Sequence, residues 1–158
     1  MEPTMGFSWL GTLFLVALLI PNIIWARRGM MGSPVVERQG FLSVLERTGQ
    51  AAVSILLVLG NIRFSGWNAW FIVSLSLMAL YELWWIRFFR GEPTEKRLSQ
   101  RFLGIPLPGA VLPVLAFITL AVATRNIPLG SAACVFAVGH IGEHLTHPKE
   151  RPNGDTVA

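Results

Sequence analysis

The chain has 158 residues, of which 53% are hydrophobic and only 14% are charged, and its formal net charge is +4. A soluble globular chain carries about 25% charged residues, so this composition excludes a disordered chain and most water-soluble enzymes. The single cysteine, Cys134, excludes an internal disulfide, a two-cysteine redox motif and a cysteine-based zinc site. The composition therefore predicts an integral membrane protein with one domain over residues 1–158.

Charged residues divide the sequence into apolar runs whose lengths suit membrane spans. Three long runs, at residues 3–26, 64–81 and 102–124, contain no Asp, Glu, Lys or Arg, and two shorter ones occupy 48–62 and 126–142. A transmembrane helix needs about 20 mostly apolar residues, and the shorter runs suffice if polar residues at their ends lie in the membrane. We predict an all-α, polytopic bundle of five transmembrane helices, at about 7–26, 45–64, 66–89, 107–124 and 128–147.

Basic residues are distributed unequally between the two ends of such a bundle. All 13 Lys and Arg residues except Arg63 and Arg125 fall on one side, in the loops 27–47 and 87–106 and in the C-terminal tail. The positive-inside rule places that side in the cytoplasm and the N-terminus outside. We therefore expect a multi-pass plasma-membrane protein, such as one of a bacterial inner membrane. Its expected partners are the lipid bilayer and a second copy or a larger membrane complex, and not nucleic acid.

Polar side chains within the spans gather in the half of the bundle nearest the cytoplasm. Glu46 and Gln50 share one face of the second helix, because residues four apart point the same way. Tyr81 and Glu82 lie near the end of the third helix, and His140 lies near the end of the fifth. Ionisable groups are costly inside a membrane and usually mark a functional site. We expect these five residues to line a polar pocket open to the cytoplasm, in which Glu82 and His140 exchange charge.

The last turns of the fifth helix carry a candidate metal site. His140, Glu143 and His144 lie on one face, and two histidines four residues apart can share a metal ion, so a divalent cation is a candidate cofactor. The spacing also matches an HxxEH metallopeptidase pattern formally. That pattern belongs to large soluble enzymes, which the rest of the chain does not resemble. A structural alternative is that these side chains lie in the headgroups, since histidines are favoured near helix C-termini.

Three functions fit this pattern of polar residues. The favoured one is a non-enzymatic protein that binds or moves a small solute, a metal ion or protons through the cytoplasmic-side pocket. The second is a membrane-embedded enzyme that uses the same residues for acid–base or metal chemistry on a lipid. The third is a non-catalytic accessory subunit, whose polar side chains hold helices in register or dock a partner.

Overall fold

The computed structural model describes residues 6–28, 40–64, 66–91, 97 and 100–146, with the backbone alone at 144–146. These residues form five α-helices and no strand longer than an isolated bridge, which confirms the predicted all-α class. The helices are α1 (Trp9–Arg27), α2 (Phe41–Leu59), α3 (Ala69–Arg90), α4 (Pro108–Ala123) and α5 (Ile127–Thr146). By length and composition α1, α2 and α3 can each cross a membrane, whereas the apolar segments of α4 and α5 are shorter.

The second helix begins and ends earlier than the sequence pattern predicts. It was expected at 45–64 but runs from Phe41 to Leu59. It ends there because the next residues leave helical geometry, and Asn61 has a φ of 50°. The start of the chain also fixes this end, since Gly6 N donates to Leu59 O and Asn61 N donates to Gly6 O, both at 2.9 Å. A contact between distant segments, which local periodicity does not report, therefore sets the boundary.

The helices run alternately up and down, and capping side chains join them at the end opposite most of the arginines. Ser8 Oγ accepts a hydrogen bond from Gly11 N at 3.0 Å and donates one to Ile62 O at 2.9 Å. Asn126 caps the start of α5 and donates to Gly60 O at 2.9 Å. Each side chain satisfies a free backbone group at a helix start and also holds a neighbouring segment.

Each helix has its main contacts with two neighbours, in the order α1, α2, α5, α4, α3 and back to α1. Helix α4 is the most buried of the described helices, and Leu112, Phe117 and Leu120 on it are fully buried. In this ring α3 and α5 are separated by α4 on one side and by α1 and α2 on the other. The order of the helices decides which of the predicted polar residues meet.

The outer surface of the bundle is apolar. Every helix exposes at least one large hydrophobic side chain, including Trp9, Phe41, Trp70, Leu115 and Ile127. Extended exposed apolar surface is typical of proteins that contact a membrane or a partner. The surface therefore agrees with the hydropathy of the helices.

Candidate functional site

A polar contact joins α2 to α5 in the part of the bundle where most arginines lie. Nδ1 of His140 lies 2.6 Å from Oε1 of Glu46. Two acceptor atoms at that distance repel each other unless a proton lies between them, so either the imidazole donates to a carboxylate or a carboxyl group donates to the imidazole. The side chains of His140 and Glu46 are 21% and 27% exposed. They form a site that holds a proton and remains partly open.

Glycines bring the backbones of α2 and α5 into contact around this pair. A Cβ atom on Gly139 would overlap the backbone of Glu46, and one on Gly49 would lie 2.6 Å from Cα of Phe136. Small residues permit such close approach between helices in membranes. The ring of Phe136 stacks on that of His140, with centroids 4.9 Å apart and planes inclined by 23°. Backbone contact and ring stacking together fix the imidazole beside the carboxylate.

Among the described residues, the charged groups around the pair come from α2 and α5. Glu143 follows His140 by one turn on α5 and is 7% exposed. Arg47, next to Glu46 on α2, is exposed. Helix α4, which packs against α5, contains no titratable residue, and α1, which packs against α2, has only Arg27 at its end. The α2–α5 interface therefore concentrates two carboxyl groups and one imidazole.

Tyr81 lies at a different interface, between α1 and α3. Its hydroxyl accepts a hydrogen bond from Asn22 Nδ2 at 2.7 Å and lies 3.4 Å from the carbonyl oxygen of Leu18. Asn22 Nδ2 also donates to Leu18 O at 2.7 Å. This network satisfies the polar atoms of a buried tyrosine, so its evident role is to hold α1 against α3.

Glu82 and Gln50 are the two remaining residues of the predicted pocket. Oε1 of Glu82 is buried and has no hydrogen-bond partner among the described residues. Glu82 stands on α3, which α4 separates from α5, so the structure pairs His140 with Glu46 and not with Glu82. Gln50 is exposed on α2. Of the five predicted residues, the structure shows direct contact between Glu46 and His140, and it places Gln50 one turn from Glu46 on α2 and both Tyr81 and Glu82 on α3.

The metal prediction for His140, Glu143 and His144 falls partly outside the described residues, because the side chain of His144 is not among them. Within the described part of the chain, no group of three or more His, Cys, Asp or Glu side chains is placed to hold a metal ion. The structure places His140 and Glu143 on the same face of α5, one turn apart. Metal binding by the three residues stays a prediction.

Gly49 and Gly139 are the site-forming residues that the sequence analysis did not single out. The sequence does contain an indication of their role, because each glycine lies within three residues of a site residue on its own helix. Small residues at helix contacts are common in membranes. Which helix each glycine faces could not be read from that signal.

Comparisons with protein-family models, with curated proteins and with solved structures found no match to this chain. The candidate site is therefore interpreted from its own contacts and chemistry.

Proposed function

We propose that this chain is a multi-pass membrane protein that binds and moves protons at the Glu46–His140 pair. The observation that carries the proposal is the 2.6 Å contact between Nδ1 and Oε1. Histidine is the side chain that ordinarily changes charge between about pH 5 and pH 8. Chains of acidic side chains and histidines form proton relays in membrane pumps and transporters. Direct contact leaves space for a proton between the two groups and not for a larger solute.

In this proposal all five helices cross the membrane, with the arginine-rich end in the cytoplasm. Helix α4 has 16 residues, which corresponds to about 24 Å of helix. It alternates in direction with its neighbours and exposes apolar side chains such as Leu115 and Val122. Of the nine described arginines only Arg63 and Arg125 lie at the other end, which favours the orientation given by the positive-inside rule. The membrane is proposed to be the plasma membrane, as in a bacterial inner membrane.

The proton transfer follows from the chemistry of the two groups. With Glu46 ionised, Nδ1–H of His140 donates to Oε1. A proton that arrives at Nε2 converts the ring to imidazolium, and the Nδ1 proton then passes to Oε1 across the 2.6 Å contact. The ring is left neutral with its proton on Nε2, and Glu46 carries the transferred proton. Glu143 is the next acidic group on this face of α5.

The test is proton flux in liposomes that contain the purified full-length chain and an entrapped pH-sensitive dye. A potassium gradient with valinomycin supplies the driving force. We expect the wild-type protein to acidify or alkalise the lumen according to the sign of the potential. Glu46→Gln and His140→Asn should reduce the flux to that of protein-free liposomes, because each removes one of the two proton-carrying groups.

Ser76→Ala is the matched control, since Ser76 is exposed on α3 and its hydroxyl bonds only to Ile72 O of its own helix. This variant should retain the wild-type flux. Wild-type flux equal to that of protein-free liposomes, or flux unchanged in both pair variants, contradicts the proposal. Reduced thermal stability in the pair variants together with absent wild-type flux would instead support a structural role in an accessory subunit.

A further inference from the structure

A second polar feature lies between the end of α3 and the segment that follows it, away from the Glu46–His140 pair. It is an open hollow with an empty volume of about 260 Å³ including its mouth. Three arginines, three aromatic residues and one glutamine line it: Trp84, Arg87, Phe88, Arg97, Gln100, Arg101 and Phe102. Three of these seven residues are basic and none is acidic, so the described lining of the hollow is basic and has an aromatic wall.

One face of α3 supplies the first side of the hollow. Trp84, Arg87 and Phe88 are spaced by three and four residues, which places them together on the helix surface. Trp84 and Phe88 are buried, whereas Arg87 is exposed. The guanidinium carbon of Arg87 lies 5.7 Å from the centre of the Phe102 ring, within the range of a cation–π contact. That contact links α3 to the segment that carries Phe102.

A tight turn supplies the opposite side. Phe102 N donates to Ile105 O at 3.1 Å, and Ile105 N donates to Phe102 O at 2.9 Å. The two central residues, Leu103 and Gly104, have φ values of 51° and 83°, as in a type I′ turn. A non-glycine residue at positive φ is unfavourable, so this turn is held by its surroundings. The turn returns the chain towards α3 and places Arg101 and Phe102 at the hollow.

Gly91 makes room for the third arginine. A Cβ atom at this position would overlap the guanidinium of Arg97. Arg97 is half-buried, so its guanidinium lies against the backbone just after the end of α3. The guanidinium of Arg97 is therefore packed against the backbone at Gly91.

We propose that this hollow binds a phosphate group, carried either by an anionic lipid headgroup or by a free phosphate. Arginine presents a planar fork of donors that matches phosphate oxygens in two-point contacts. The enclosed part of the hollow is small, about 20 Å³, so a phosphate group would lie at its mouth, where Arg87 and Arg101 are exposed. Basic hollows beside transmembrane helices on the cytoplasmic side bind anionic headgroups. Neither ligand source requires the proton function proposed above.

The lipid arm of the test uses the full-length protein in vesicles of phosphatidylcholine with or without phosphatidylglycerol, with lipid retention measured by native mass spectrometry. The wild-type protein should retain phosphatidylglycerol in preference to phosphatidylcholine. Arg87→Gln and Arg101→Gln should each weaken this preference about fivefold, and the double variant about thirtyfold. Arg125→Gln, which removes an exposed arginine from the opposite end, should leave the preference unchanged.

The phosphate arm uses inorganic phosphate and the same variants in phosphatidylcholine vesicles, with binding followed by phosphorus NMR. Binding in the lipid arm alone identifies a headgroup site, and phosphate binding that the double variant loses identifies a site for free phosphate. Gly91→Ala keeps every charge but displaces the guanidinium of Arg97, so it should weaken whichever probe binds. The proposal is overturned if neither probe binds, or if Arg125→Gln weakens binding as much as the double variant.

Discussion

The two best-packed helix interfaces of the bundle achieve contact in opposite ways. Between α2 and α5 the backbones touch through Gly49 and Gly139. Between α3 and α4 a large side chain fills the space. The Trp84 ring lies against Gly109, so close that a Cβ atom on Gly109 would be 2.8 Å from it. The first interface holds an ion-pairing Glu and His. The second is held by apolar packing and by hydrogen bonds from Ser74 Oγ to Ala116 O at 2.8 Å and from Asn68 Nδ2 to Ala123 O at 3.2 Å.

The difference shows where ionisable chemistry can be placed in an apolar bundle. A carboxylate and an imidazole need direct contact to offset the loss of water, and contact needs helices that approach closely. Gly49 and Gly139 permit that close approach between α2 and α5, beside Glu46 and His140. The α3–α4 interface instead holds no contact between ionisable side chains among the described residues, and Oε1 of Glu82 on α3 is buried without a hydrogen-bond partner in the described part of the chain.

The largest expected effect is that of a substitution at the α3–α4 interface. Trp84→Ala should lower the free energy of unfolding by about 4 kcal/mol, since it removes a buried ring and leaves a cavity between α3 and α4. Reversible unfolding in mixed detergent micelles measures this change. Trp67→Ala is the control, because Trp67 is 74% exposed whereas Trp84 is 5% exposed. Equal losses in the two variants would show that the α3–α4 contact does not stabilise the fold.

A glycine comparison separates the two interfaces directly. Gly139→Ala should lower the free energy of unfolding by about 3 kcal/mol, because the new methyl group meets the backbone of Glu46, which cannot move without shifting α2. Gly109→Ala should cost about 1 kcal/mol, because the Trp84 side chain can adjust. Gly130→Ala should cost least, since its Cβ would meet only Ala121 Cβ, at 3.5 Å. The same unfolding measurement ranks the three, and a reversed order for Gly139 and Gly109 would refute the backbone-contact account.

Much of the fold could be predicted from the sequence. The charge-free runs and the basic loops predict the helices, their alternating direction and the basic end. The end of α2 could not be predicted, because the pairing of Gly6 with the residues around Gly60 sets it. The partner of His140 could not be predicted either. Sequence places Glu46 and Glu82 at the same level, but only the helix order shows that α2, and not α3, packs against α5.

A double-mutant cycle measures the pair itself. Glu46→Gln, His140→Asn and their combination should give a coupling free energy of about 1 kcal/mol, near the values found for polar contacts between helices in membranes. Each single variant removes the ionisable partner of the other group, so the double variant should be less destabilised than the sum of the two. A coupling energy of zero would mean that the 2.6 Å contact adds nothing to the α2–α5 interface.

The smallest expected effect concerns the network between α1 and α3. Tyr81→Phe should lower the free energy of unfolding by about 0.6 kcal/mol. The effect is small because Asn22 keeps its hydrogen bond to Leu18 O after the hydroxyl is removed. Proton flux in liposomes should stay at the wild-type level, since Tyr81 lies at another interface. A loss of flux in Tyr81→Phe with unchanged stability would show that the proton path includes α3.

The most direct test of the central claim is an infrared difference spectrum of the full-length protein in liposomes, recorded before and after the potassium–valinomycin gradient is applied. A proton shared between His140 and Glu46 predicts that an imidazole band and a carboxyl band change together. Glu46→Gln should remove the carboxyl band and alter the imidazole band, and His140→Asn should remove the imidazole band and alter the carboxyl band. The account is contradicted if the wild-type spectrum contains neither band, or if each variant leaves the other residue's band unchanged.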